Sequence, residues 1–281
     1  MKYLFIFFLL ITFHLSFSQT SSVKVIIQRM LKSSEVLGTA KFTLYTEERM
    51  KSDKFVKTER FVKILAKPKE IYFYSVNPNP GTEILWKEGW NNNKMMVSPG
   101  SFPFITFSMN PNSSIARKDS HHSIRDLGFD YVMDMIGYYL NFYGDRFYNY
   151  ISIADTVQWD NHSCIRVAFD FKDYTEINYT VKNKENVIDI AEKFHLNDYS
   201  ILMMNPSIDG FDNVRAGQVI KIPNFYCRKI EFYIDKVSWL PLRQLISDQN
   251  GLYEKYEMKS FQLNPVFKTD EFSPEFGEYK F

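Results

Sequence analysis

An α+β fold, with a curved antiparallel β-sheet carrying packed helices and a small βααβ unit inserted between two of its strands, is predicted by three observations. Runs at Phe42, Leu44 and Thr46, at Ile165, Val167, Phe169 and Phe171, and at Ile230, Phe232 and Ile234 alternate with polar residues at period two, the pattern of half-buried strands. Asp130 to Asn141 instead repeats apolar residues three and four apart, at Val132, Met135, Ile136, Tyr139 and Leu140. A single amphipathic helix amid strands has to lay its stripe on the sheet. Residues 179–223 pass from strand spacing to helix spacing and back, which is too compact for anything but a small separate unit.

Taken in order, Met1 to Ser18 carries one early Lys2, an apolar run from Tyr3 to Leu15, and small Ser16 and Ser18 before Gln19. This predicts a secretory signal peptide. The only cysteines are Cys164 and Cys227, so no thiol is placed for lipid attachment at a new N-terminus. No other stretch approaches the roughly 18 apolar residues of a spanning helix. The mature chain is expected to be soluble and periplasmic, without a transmembrane segment. Ser21 to Leu37 reads as a helix. Phe42–Glu47, Phe55–Ala66, Ile71–Tyr74, Ile84–Trp86 and Lys94–Val97 read as strands, separated by turn clusters at 77–81, 91–93 and 99–100. Phe102 to His122 has little period and reads as a long loop. Gly144 is placed to end the helix that begins near Asp130.

Within 179–223, Tyr179–Val181 reads as a strand, and Val187, Ile190, Ala191 and Phe194 as a helix with Asn186 as N-cap and Asp189 as its capping-box partner. Asn197 or Asp198 is placed to cap a second helix that Asn205-Pro206 ends, and Val219–Ile222 closes the unit as a strand. These residues, with Gly217-Gln218-Val219-Ile220-Lys221-Ile222-Pro223, resemble the LysM carbohydrate-binding module. The resemblance implies peptidoglycan, or a related N-acetylglucosamine glycan, as partner. It places the groove between Asn183, Lys184, Glu185 and Asn186 on one wall and Asn205, Pro206, Ser207 and Ile208 on the other, with Val187 and Met204 as floor. The sequence departs from the family at Lys184-Glu185-Asn186, where Gly-Asp-Thr is usual.

The strands at Ile165–Phe171 and Ile230–Ile234 bracket this unit, so pairing them makes it an insertion at a hairpin tip. The expected division is 1–18 signal peptide, 19–178 with 225–281 host domain, and 179–224 LysM domain. Lys67-Pro68 with Ile71-Tyr72, the run Gly81 to Gly89, Ile124 with Gly128, Trp239-Leu240-Pro241-Leu242-Arg243 and the tail Phe272 to Phe281 resemble an uncharacterised family of bacterial envelope proteins. That resemblance implies the half-barrel of LolA-like lipoprotein carriers, with a hydrophobic cavity able to hold a lipid or lipoprotein acyl chain.

With 34 basic and 33 acidic residues, and Lys2 lost with the signal, the charge balance argues against a nucleic-acid surface. No H-E-x-x-H, G-x-S-x-G or Gly-rich phosphate loop occurs, so no metal or cofactor is implied. Adjacent His121 and His122 point apart in regular structure and make a poor metal pair. Asp119-Ser120-His121 reads as part of a solvated loop, since triads are assembled from distant segments. His195, closing a helix, is expected to be a cation at a helix C-terminus. Glu47, Glu48 and Glu185 have no partner that sequence can specify. Cys164 and Cys227 begin strands that should run antiparallel, about 20 Å apart at about 3.3 Å per residue, too far for a disulfide. The expectation is a non-enzymatic envelope protein that binds glycan through the inserted unit; a cell-wall or lipid-acting hydrolase targeted by that unit is the alternative.

Overall fold

The computed structural model describes residues 22–281, so the expected signal peptide at 1–18 lies outside the described residues. A helix over 22–35, α1, leads into an antiparallel meander. Its strands are β1 (Thr39–Arg49), β2 (Phe55–Leu65), β3 (Glu70–Asn77), β4 (Glu83–Lys87), β5 (Met95–Ser98) and a short β6 (Phe107–Met109). Then come α2 (Asp130–Tyr143), β7 (Ile151–Trp159), β8 (His162–Asp170), β9 (Glu176–Thr180), α3 (Val187–Phe194), α4 (Asp198–Met204), β10 (Val219–Pro223), β11 (Lys229–Asp235), β12 (Pro241–Asp248) and β13 (Gly251–Leu263). Eleven strands form one sheet in the order β6-β5-β4-β3-β2-β1-β13-β12-β11-β8-β7. The two ends of the chain thus meet at its centre, where β1 pairs β13.

Period-two burial builds the core. Phe42 and Leu44 of β1, Val62 and Ile64 of β2, Val167 and Phe169 of β8, and Phe232 and Ile234 of β11 face inward. They join Val132, Met133, Met135, Ile136 and Tyr139 of α2 and Ile27 and Met30 of α1 in one cluster. The predicted stripe of α2 does lie on the sheet. Gly144 ends the helix at φ 58°, ψ −146°, a conformation that side chains with a Cβ rarely adopt. The other face of the sheet is covered locally by the C-terminal tail: Tyr279 stacks on Tyr72 at 3.8 Å, and Phe272 packs with Tyr72 and Leu85.

β8 and β11 pair antiparallel, as the alternation predicted. Cys164 sits opposite Asp235 at one end of this ladder, Cys227 lies beyond the other end, and both thiols are free. Between the strands, β9 and β10 form their own two-stranded sheet, and α3 and α4 pack on it around a separate core with Val187, Ile190, Ile201, Ile208 and Ile220. Asn186 caps α3 in a full capping box with Asp189, and Asn197 caps α4.

Three elements depart from the sequence reading, β12 (Pro241–Asp248) among them, since that stretch is not assigned as a strand there. β7 was not expected, because as an edge strand it is largely exposed and has no clean alternation. The 102–122 segment contains β6 and then turns back over the sheet, so that Arg117 and His121 are buried instead of solvated. Among the described residues no helix is long and apolar enough to cross a membrane.

Candidate functional site

Between the concave face and α2 lies an open-mouthed cavity of about 110 Å³. Its walls are apolar: Phe42 and Leu44 from β1, Phe73, Ile84, Met135 and Met258. The polar residues in its lining include Glu48, Arg60, His122, Asp126, Gln244 and Tyr256. β13 supplies Met258 and Tyr256 two residues apart, and the next residue on that face, Glu254, lies behind the cavity at 0% exposure.

Glu254 is the hub of a buried polar network. Its Oε1 is 2.8 Å from His121 Nδ1 and accepts from Asn197 Nδ2 at 2.6 Å, and its Oε2 accepts from the Tyr226 hydroxyl at 2.8 Å. His122 Nε2 lies 3.4 Å from Oε1 and 3.0 Å from the Tyr226 oxygen. Burial pulls the His122 pKa down, but Glu254, with Asp126 and Glu48 adding, outweighs it and raises the pKa to about 9. Burial alone would raise the Glu254 pKa; the two histidines hold it well below the usual carboxylate range. Glu48 joins by accepting from Tyr256 OH at 2.6 Å and the His121 backbone N–H at 3.2 Å. Ligand atoms of Glu48, His121 and Glu254 lie within 4.8 Å of one another, the spacing of a cation site. Each residue already has protein partners, His121 Nε2 included, which meets the Arg49 carbonyl at 2.9 Å, so hydrogen bonding accounts for the cluster.

The adjacent histidines therefore do converge on one carboxylate, contrary to the expectation that they point apart, because their backbone is irregular. The Asp119-Ser120-His121 loop is solvated only in part: Asp119 and Ser120 are half-buried, whereas His121 is fully buried and its ring meets Glu254 and Arg49 instead of Ser120. His195 stacks on Tyr138 at 4.4 Å, and burial lowers its pKa against the pull of Asp134, which disfavours the expected cation. Burial likewise pushes the Cys164 thiol up to about 11, the opposite of a reactive cysteine.

The same network fastens the βααβ unit to the host. Asn197, at 0% exposure, accepts from the Ser200 N–H as the cap of α4 while its amide donates to Glu254 and Tyr226. Beside it Asp198 takes a two-pronged pair from Arg117 at 2.7 and 2.6 Å, and Arg117 also bonds the His121 carbonyl and lies 4.1 Å over the Phe211 ring. Tyr131 of α2 donates to the Leu196 carbonyl at 3.1 Å. Lys51 Nζ donates to the carbonyls of Pro206 and Ile208 at 3.0 and 2.9 Å.

The sequence-predicted groove residues divide accordingly. Asn183, Lys184, Pro206 and Ser207 are exposed. The Glu185 carboxylate is held by Tyr179, the Lys182 N–H and Lys193, and Asn186 caps α3. Asn205 clips α4 to β10, donating to the Ile201 and Lys221 carbonyls and accepting from the Lys221 N–H. Val187 and Ile208 are buried in the unit's own core and Met204 packs toward the host core, so Val187 and Met204 do not form the expected floor and the Ile208 side chain does not line the expected wall.

Sequence reasoning missed Arg60 and Glu254. Each carried a signal in strand parity: Arg60 shares a face with Thr58, Val62 and Ile64, and Glu254 with Tyr256 and Met258.

A search of curated proteins returns no match. Among solved structures, MucB is similar at 10% identity and TM-score 0.44, over 90% of this chain and 62% of its own, so this chain spans less than two thirds of the MucB chain. The lipoprotein LppX of Mycobacterium tuberculosis is similar at 11% and 0.42, over 88% of this chain and 98% of its own. LprF of Mycobacterium bovis is similar at 11% and 0.44, over 90% and 98%. Residues 39–199, from β1 into α4, match the profile of a family described as a protein of unknown function, DUF1571. That span is more than half of the chain, and the chain belongs to this family.

Proposed function

We propose that this chain is a non-enzymatic binding protein of the cell envelope whose concave cavity takes an apolar ligand, such as a lipid or lipoprotein acyl chain. The cavity carries the reading. Protein interiors are normally packed to crystal density, whereas here an apolar space with an open mouth and a few convergent polar groups persists between sheet and helix, the usual character of a ligand site. Native mass spectrometry of protein purified without detergent is expected to show lipid-mass adducts. Met135→Trp, which fills the space, should remove them. Adducts unchanged in the filled variant would sink the reading, and release of soluble products from lipids or sacculi would favour the hydrolase.

The second reading concerns the inserted unit, which we propose as a LysM domain (179–224) within a host of 19–178 and 225–281, binding an N-acetylglucosamine glycan. Its strand-helix-helix-strand order, its own core and the exposure of Asn183, Lys184, Pro206 and Ser207 support this. Glu185, Asn186 and Asn205 shape the two loops. Lys51 already takes two carbonyls of the second wall, so a weak affinity is expected. The full chain should sediment with sacculi, and Asn183→Ala with Lys184→Ala should lose retention; equal retention by the double variant would rule the glycan surface out. Deleting 179–223 is a poor test, because it strips Asn197 from Glu254.

A further inference from the structure

Arg60 is out of keeping with its position. It lies on the inward row of β2, between Leu44 opposite it on β1 and Ser75 opposite it on β3, and it lines the apolar cavity. Its guanidinium is 5.2 Å from the Phe73 ring, which supplies a cation–π contact. Among the described residues it makes no hydrogen bond and no ion pair. Glu48, the cavity carboxylate that could serve it, is committed to Tyr256 and His121. Burial lowers the Arg60 pKa, with Glu48 and Asp119 opposing from a distance, but a guanidinium stays charged near neutral pH. A half-buried cation without a counter-charge is unfavourable in an apolar wall. With Glu48 committed to Tyr256 and His121, the fork makes no contact with a counter-charge and lines the space a ligand would fill.

We infer that Arg60 is the headgroup anchor of the cavity, and that the ligand is an amphiphile whose carboxylate or phosphate pairs with the Arg60 fork while its chain lies along Phe42, Leu44, Ile84 and Met258. The inference rests on the apolar-ligand reading above and adds the ligand's charge. A planar guanidinium suits both anions, since it can donate two parallel hydrogen bonds to carboxylate or phosphate oxygens. A neutral head of the same chain length would fill the same walls but leave the guanidinium unpaired.

Three probes of one chain length separate the possibilities by calorimetric titration of the delipidated full chain near neutral pH, below micelle formation: dodecanoate, dodecyl phosphate and dodecanol. At least one anion is expected to bind about tenfold or more tightly than dodecanol, and the stronger of the two identifies carboxylate or phosphate as the preferred head. Arg60→Gln should bring both anions down to the dodecanol affinity and leave dodecanol within about twofold, while Arg60→Lys should restore part of the difference. Dodecanol binding to Arg60→Gln also reports that the cavity is intact. If that variant does not fold, the anion-to-alcohol ratio in the unmodified chain decides alone. Equal affinities for all three probes, or anion binding untouched in Arg60→Gln, would overturn the anchor while leaving the apolar cavity standing. Binding of none of the three would instead remove the cavity reading on which it rests.

Discussion

Glu254 and Arg60 are both charges on inward rows of the same sheet, and their surroundings could hardly differ more. Glu254 on β13 is surrounded by two histidines, a tyrosine hydroxyl and an asparagine amide. Arg60 on β2 has an aromatic face and no counter-charge in contact. A buried charge is tolerated when the fold supplies its partners, and removing one partner then strands the others. A charge that the fold leaves unserved is better explained by something that arrives later. The contrast separates an ion that holds the molecule together from one held ready for a ligand, and mutation can break it from either side.

The largest effect is expected for Glu254→Ala, which strands His121, His122, the Asn197 amide and the Tyr226 hydroxyl at once. Stability should fall by about 3–5 kcal/mol in urea unfolding; a loss under about 1 kcal/mol would mean the network is incidental. Asn197→Ala comes next. It removes the cap of α4, worth about 1 kcal/mol, and a buried donor to Glu254, worth about 1–2 kcal/mol more. Because Asn197 joins unit to host, hydrogen exchange should speed up across 176–223 before the main sheet is affected. Uniform protection in the variant would show that the unit is held by other contacts, with Arg117–Asp198 the first to examine.

A smaller effect should appear with pH. The His122 pKa is raised from 6.5 unfolded to about 9 folded, so its stabilisation is fully present below about 6.5 and disappears as pH rises through about 9. The upper bound is on the order of 3 kcal/mol, and the ring is 16% exposed, so solvent screening should reduce it. Glu254 has the opposite sign: its pKa is depressed, so its contribution is present above about 4.3 and fades as acid protonates the carboxylate. Thermal midpoints should decline from pH 6.5 toward 9 in the native sequence and stay flatter in His122→Gln. Parallel profiles would refute the His122–Glu254 pairing.

How much of this was legible beforehand follows from what each element depends on. α2 and the strands β1, β8 and β11 declared themselves because period and burial coincide there, and the capping box at Asn186 and Asp189 is a purely local device. The edge strand β7 has little burial to impose a period. The polar network was illegible for a different reason: His121, Asn197, Tyr226 and Glu254 come from four distant segments, and pairing them requires the sheet to be folded first. His121 looked solvated because its neighbours Lys118, Asp119 and Ser120 are polar, and nothing local reveals that Glu254 awaits it 133 residues away. For the inserted unit, the order of elements and the cap at Asn186 could be read directly, but not the use of Asn205 as an internal clip or of Lys51 as a contact from the host.

The smallest stability effect is also the most discriminating. Without ligand, Arg60→Gln should leave stability within about 0.5 kcal/mol of the native sequence or raise it, because it removes an unpaired charge from an apolar wall and takes nothing from a network. Glutamine gives up the cation–π contact with Phe73, worth about 0.5–1 kcal/mol where solvent still reaches, against the desolvation it relieves. Melting curves of delipidated protein give the sign directly. Adding whichever dodecyl anion binds should then raise the native midpoint and not that of the variant, since a ligand stabilises only the state that binds it. A loss above about 1.5 kcal/mol in the unliganded variant would place Arg60 with Glu254 as a structural charge, and the distinction between the two charges would collapse.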